Sequence, residues 1–157
     1  MKVLIQRVGR AEVRVAGSPI ARIGRGLLVF VAVEKGDEAA DAEYYADRTA
    51  GLRIFEDHEG RMNLSLKDIG AEALVVSQFT LAGSTRRGRR PSFDGAEEPE
   101  RADVVYQMFV SALARSGIPV RTGRFREMME VELVNEGPVT FLLDPRTEPR
   151  HRRREPD

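Results

Sequence analysis

Most of the groups able to do chemistry lie between Leu74 and Phe93, where the chain reads LVVSQFTLAGSTRRGRRPSF. Ser77, Gln78 and Thr80 place hydroxyl and amide groups around Phe79, directly after the apolar run Leu74-Val75-Val76. Such a run reads as a buried strand. The polar groups therefore sit at the end of a rigid element, with the backbone N–H groups around Phe79 beside them. Arg86, Arg87, Arg89 and Arg90 follow, with no acid between Gly83 and Phe93, in a backbone loosened by Gly83, Ser84 and Gly88 and stopped by Pro91. Guanidinium groups grip phosphate oxygens through paired, planar hydrogen bonds. The cluster thus predicts a phosphate-bearing substrate, and a solvated basic loop is the plainer alternative.

Other routes to catalysis are poorly supplied. Of the two histidines, His58 falls in the charged stretch Glu56–Gly60 and His151 in the basic tail, so neither is placed as a general base and a Ser-His-Asp triad is not expected. There is no cysteine, which removes thiolate nucleophiles, disulfides and thiolate zinc ligands. No metal and no cofactor is expected. The acid pairs Glu56/Asp57 and Glu97/Glu98 read as solvated surface. An unassisted threonine hydroxyl is a poor nucleophile at neutral pH, and no evident base neighbours Thr80 in the sequence.

These groups need a scaffold. At 157 residues the chain has the size of a single domain with a real core. Residues 2–8 and 11–15 read as strands, Gly17-Ser18-Pro19 as a turn, and Ile20–Ile23 and Leu27–Val33 as further strands. Asp37 reads as the cap of a helix carried by Ala39, Ala42, Tyr45 and Thr49 and ended at Gly51. Leu52–Phe55 reads as a short strand and Ser65–Gly70 as loop. Pro99 opens a second helix, whose buried face is Val105, Met108, Phe109 and Ala112 and whose end is Gly117. Val120–Thr122, Glu130–Val134 and Val139–Leu143 read as strands, which makes Gly137-Pro138 a hairpin turn and leaves Arg7 an edge-strand surface residue. Phe125, Met128 and Met129 can line an apolar pocket for a flat ring, though core packing is the commoner fate of such side chains. The class predicted is α+β: a mostly antiparallel, barrel-like sheet with two main helices, in one domain over residues 1–145. The tail 146–157 is basic and expected to be disordered.

Charge and hydropathy bound the partners. Lys plus Arg equals Asp plus Glu at 25 each, so no global field draws nucleic acid to the chain. Contacts to RNA should be local, through the 83–93 loop and the tail. No segment approaches a membrane span, MKVLIQRV is no signal-peptide core, and a cytoplasmic protein is expected.

SQFTL at Ser77–Leu81, the RPSF segment at Arg90–Phe93 and NEGPVT at Asn135–Thr140 resemble the D-aminoacyl-tRNA deacylase family. MKVLIQRV, AVEKGD at Ala32–Asp37 and LRIFED at Leu52–Asp57 resemble it in order and spacing, so the likeness covers roughly residues 1–145. It departs at Arg87, where lysine is common in the family, and in the longer basic tail. The resemblance implies a homodimeric hydrolase that acts on the acceptor end of aminoacyl-tRNA and releases D-amino acids, and glycine from mischarged tRNA. It implies that Ser77, Gln78, Phe79 and Thr80 form the catalytic segment, with the backbone at Gln78 and Phe79 facing the ester. Gly137-Pro138 would be a cis pair inserted into the partner's site, where its carbonyls exclude L side chains, and Arg7 would hold that loop. Phe125 and Met129 would flank the terminal adenine. An aminoacyl ester is already activated and has a ribose hydroxyl beside the scissile bond, so a site without a side-chain base suffices. One oxyanion donor is typically worth about 3–4 kcal/mol. Thr80 is then a nucleophile or, as we prefer, a group that orients one. Two other readings remain: an RNA-binding module without catalysis, and a small-molecule esterase using Thr80.

Overall fold

The computed structural model describes residues 1–146; from residue 147 on, the tail read as disordered lies outside the described residues. In chain order the elements are β1 (Lys2–Val15), β2 (Ser18–Ile23), β3 (Gly26–Ala32), α1 (Ala39–Gly51), β4 (Phe55–Glu56), β5 (Met62–Leu64) and β6 (Glu72–Ser77). A single 3-10 turn (Phe79–Ala82), α2 (Pro99–Arg115), β7 (Val120–Thr122) and β8 (Met129–Leu143) follow. The α+β class and the two helices are as expected.

β1 is the strand on which the sheet is assembled, and residues 2–8 and 11–15 are one element rather than two. Along one edge it pairs antiparallel with β3 through Lys2–Val8 and with β2 through Ala11–Val15; along the other it pairs antiparallel with β8. β6 joins β3 in parallel and β7 joins β6 in parallel. Those two ladders depart from the antiparallel expectation. The physical reason is the connection: α1 and the β4–β5 hairpin intervene between β3 and β6, long enough for a crossover that returns the chain in the same direction.

Alternation divides the sheet's side chains between two cores. Leu27, Val29 and Val31 of β3, with Ala73 and Val75 of β6, face α1 and α2, where they meet Ala42, Tyr45, Ala46, Val105, Phe109 and Leu113. Leu28, Leu74 and Val76 face the other way, against Val8, Ala11 and Val13 of β1 and Ala21 and Ile23 of β2. The second cluster exists because the sheet curls back on itself, which gives the barrel-like shape. Each fully buried aliphatic side chain contributes roughly 1.5–3 kcal/mol.

The helix ends show local chemistry at work. α1 is opened by a capping box, in which Glu38 takes an N–H of the first turn and Asp41 accepts the Glu38 N–H at 2.8 Å. Asp37, expected as the cap, is instead buried, where it accepts from the Met1 amine at 2.7 Å and from the Glu34 N–H at 2.7 Å. Burial pushes its carboxyl above the ordinary range. Pro99 occupies the first turn of α2 as expected. Val105, Phe109 and Ala112 are buried, but Met108 is turned outward and Tyr106 and Leu113 complete the inner face. The buried stripe is rotated because α2 packs against α1 as well as the sheet.

β8 corrects the hairpin expectation at Gly137-Pro138. It is one continuous strand. Gln6 pairs with Thr140 and Val8 with Asn135, so Glu136–Val139 stand opposite Arg7 alone. The segment is a four-against-one bulge in a ladder that continues on both sides, and its Gly137-Pro138 peptide bond is cis.

At the end of β8 Asp144 is buried beneath the exposed Arg146, which donates through Nη2 at 2.7 Å, Nε at 2.9 Å and its backbone N–H at 2.8 Å. These bonds hold the carboxyl at about 2. A depressed carboxylate stabilises the fold above its unfolded value, and that contribution is lost as pH falls toward the folded value. Asp144→Asn should lower the thermal midpoint by a few degrees, of the order given by about 1 kcal/mol, at pH 7. The gap to wild type should close between about pH 4 and pH 2, as thermal melts across that range would record. A gap independent of pH would show that the ionised carboxylate is not what matters.

Candidate active site

β6 ends at Ser77, and the chain turns at Gln78 into the 3-10 turn, so the polar groups do stand at a strand end. The turn is pinned by Gln78, whose N–H donates to Val31 O of β3 at 2.8 Å. The Gln78 N–H is therefore already engaged within the protein. The N–H groups of Phe79 and Thr80 come ahead of the turn's first internal bond, Leu81 N–H to Gln78 O at 3.2 Å. Those are the positions where a helical turn leaves donors unpaired. The Gln78 side-chain amide donates to the Thr80 hydroxyl oxygen. Phe79 is 57% exposed and meets Phe93 edge-on at 5.1 Å.

These residues form one side of a cleft of about 650 Å³, bounded by Ser77, Gln78, Phe79 and Thr80 on one flank and by Phe125, Met128 and Met129 on the other. Phe125 rests on the buried Tyr106 ring at 5.9 Å. The Tyr106 hydroxyl donates to Val75 O at 3.1 Å, and the same carbonyl accepts the Gly123 N–H at 3.0 Å. The strand that leads to Ser77 and the segment that carries Phe125 thus share one carbonyl as a joint. A side chain at residue 123 would place its Cβ 2.7 Å from Met129 Sδ, so glycine is what lets the methionine close this wall.

Sequence reasoning missed Glu97, Arg126 and Glu127, which also border the cleft. Glu97 is not solvated surface: its side chain is 11% exposed, and it accepts from the Glu98 N–H at 2.9 Å and from Arg101 Nε at 3.1 Å. The Glu98 N–H, then Arg101, holds its carboxyl below the ordinary range. The available signal was its place just ahead of the helix-opening Pro99.

Gly137, Pro138 and Arg7 are not brought to this cleft. Met129 borders the cleft and Gly137 lies eight residues further along β8, roughly 25 Å at strand rise. Arg7 is not an edge-strand surface residue either. It is 3% exposed in the middle of the sheet, donating to Ile54 O through Nη1 at 2.7 Å and to Glu136 O through Nε at 3.2 Å. The Glu136 carboxylate lies 3.8 Å from Arg7 and 3.4 Å from Arg25, and Arg25 lies over the Phe55 ring at 5.6 Å. Arg86, Arg87, Arg89 and Arg90 are all exposed, in a loop closed at its neck by Ser84 and Ser92, which exchange backbone bonds of 2.7 and 2.9 Å. The loop leaves from the cleft's rim but does not line it.

The chain is similar to proteins of this architecture over nearly its whole length. It is 52% identical to a D-aminoacyl-tRNA deacylase of Thermodesulfovibrio yellowstonii, covering 93% of this chain and 100% of that one. It is 54% identical to a D-aminoacyl-tRNA deacylase of Thermotoga petrophila, covering 92% of this chain and 97% of that one. Among solved structures, the "c-Myc DNA Unwinding Element Binding Protein" superposes with a TM-score of 0.88 at 37% identity, covering 92% of this chain and 98% of that chain. The profile of the family described as D-Tyr-tRNA(Tyr) deacylase matches residues 4–144, and on that match the chain belongs to this family.

Proposed function

We propose that this chain hydrolyses the ester of D-aminoacyl-tRNA, releasing the D-amino acid and free tRNA in the cytoplasm. The observation that carries the reading is the single cleft that unites Ser77–Thr80 with the Phe125/Met129 wall. The apolar wall takes the terminal adenine, and the ester lies against the opening of the 3-10 turn. Water adds to the ester carbonyl while the neighbouring ribose 2′-hydroxyl passes the proton on. The oxyanion is met by the N–H groups of Phe79 and Thr80. The carbonyl carbon–ribose oxygen bond then breaks, and the ribose oxygen leaves with the proton. Gln78 and Thr80 orient the groups through their shared hydrogen bond.

Chirality is read by Gly137-Pro138 of a partner subunit, because each chain carries the pair far from its own cleft. Backbone carbonyls there take the substrate amino group and leave no space for an L side chain. Glycine, which has no side chain to reject, passes the same filter. The chain therefore works as a homodimer. Sedimentation at micromolar concentration should give a dimer; a fully active monomer would rule out this cross-subunit construction.

The deciding experiment compares deacylation of D- and L-aminoacyl-tRNA of one amino acid. The D form should react at least about a hundredfold faster, the scale of a misplaced reacting group; equal rates, or none, would overturn the reading. A nucleic-acid binder without chemistry is the second reading, favoured by the name of the solved relative at 37% identity and by the exposed arginine loop. It predicts binding without deacylation.

Arg86, Arg87, Arg89 and Arg90 contact tRNA phosphates. Changing two of them to Ala should weaken binding and lower the slope of log K against log salt by about 1–2, with the D/L ratio kept. Unchanged affinity and slope would mean that the loop is merely solvated.

A further inference from the structure

The bulge at Glu136–Val139 sets a problem that one side chain solves. Four residues opposite one cannot all keep ladder partners, and buried backbone groups without partners are costly. Asn135 stands at the neck of the bulge. Its Oδ1 accepts the Val139 N–H at 2.9 Å, and its Nδ2 donates to Val139 O at 3.3 Å and to Thr140 Oγ1 at 3.2 Å. Thr140 Oγ1 also accepts from Gln6 Nε2 at 3.2 Å, the residue that resumes the ladder on β1. The amide of Asn135 therefore does for Val139 what a neighbouring strand would do: it offers one acceptor and one donor, in ladder spacing. At the other side of the bulge Arg7 holds Glu136 O. Glu136 and Val139 are thereby clamped, and only Gly137-Pro138 is left to project.

We propose that Asn135 is the positioning residue of the chirality filter. By tying both backbone groups of Val139 to its own side chain, it sets where the carbonyls of Gly137-Pro138 point in the partner's cleft. It touches no substrate. Its effect should appear in discrimination before it appears in folding. This inference rests on the deacylase reading above.

Two substitutions separate the clamp from general stability. Asn135→Asp keeps size and the acceptor for the Val139 N–H, but replaces the donor with an oxygen that faces Val139 O. Asn135→Ala removes both bonds. Single-turnover deacylation of matched D- and L-aminoacyl-tRNA by the dimeric protein should show the D/L ratio falling about tenfold in Asn135→Asp and further in Asn135→Ala, with the loss in kcat rather than in KM. A tenfold change corresponds to about 1.4 kcal/mol of differential transition-state binding. Amide exchange of Val139 supplies a readout independent of activity: its protection should fall in Asn135→Ala while protection in β1 and β3 is kept. An unchanged D/L ratio in a folded Asn135→Asp, or an equally protected Val139 in Asn135→Ala, overturns the proposal. Wild-type protein that does not discriminate D from L overturns it together with the deacylase reading. Discriminating wild type with unaltered variants overturns the clamp alone.

Discussion

Gly137→Ala should lower D-aminoacyl-tRNA turnover by about a hundredfold, the cost of displacing a positioning group by about 1 Å. Gly137 has φ +126, a backbone region closed to L side chains at modest energy. A Cβ there would also lie 2.7 Å from Val139 Cγ2, 3.0 Å from Arg7 Nη2 and 3.1 Å from Val139 N. Arg7 is buried and bonded on both sides and cannot withdraw, so the added methyl must move the loop itself. The protein should still fold, because such strain costs on the order of 1–3 kcal/mol and the ladder on both sides of the bulge is long. Single-turnover deacylation beside a thermal melt checks this. Turnover within threefold of wild type in a folded variant would remove Gly137 from the site.

Replacing the terminal adenosine of the tRNA by its 2′-deoxy form should cost at least about a hundredfold, the lower end of what a positioned proton-transfer group supplies. Thr80→Ala should cost no more than about tenfold, the scale of one lost hydrogen bond. The reason lies in what surrounds Thr80. Its hydroxyl oxygen accepts from the Gln78 amide, which is not a base. Two described acids border the cleft: Glu97 is held ionised by the Glu98 N–H and Arg101, which makes it a weak proton acceptor, and Glu127 is paired with Arg124 at 3.7 Å. A nucleophilic Thr80 would reverse the order: Thr80→Ala inactive, the 2′-deoxy substrate fully processed, and an acyl-threonine ester trapped on the protein. Thr80→Ser, which keeps the hydroxyl and frees its rotamer, should behave like wild type in either case and controls for packing.

Legibility in the sequence followed the range of the interactions involved. The helices and most strands were readable because periodicity is local: Pro99 opens α2, and Leu74-Val75-Val76 runs into Ser77 as one strand end. The parallel placement of β6 beside β3 was not readable, because it depends on how the intervening α1 crosses the sheet. Gly137-Pro138 looked like a reversal, since the residues that make it a bulge, Arg7 and Gln6, are at the far end of the chain. Arg7 looked exposed for the same reason; its partners Ile54 O and Glu136 O are remote in sequence. Glu97 was hidden by composition, one acid among several, until Arg101 and the Glu98 N–H marked it out. The Ser77–Thr80 stretch and the apolar wall were legible one at a time. Their meeting in one cleft was legible only through the family resemblance.

The pairing of β1 with β8 carries a consequence for synthesis. Val3 lies against Leu143 and Arg7 against the bulge at Glu136–Val139, so contacts between opposite ends of the described chain must close late. Bringing such distant segments together has an entropic cost that local elements do not meet, and folds rich in these contacts form slowly. While a ribosome is still adding β6, α2 and β7, β1 can pair with β2 and β3, but its other edge has no partner. The Ser77–Thr80 stretch exists by then in the growing chain, yet Arg7 has no bulge to hold. A product truncated before β8 would therefore carry Ser77–Thr80 without the Gly137-Pro138 bulge. β8, which carries the Gly137-Pro138 bulge, is the last element of the described chain to be made.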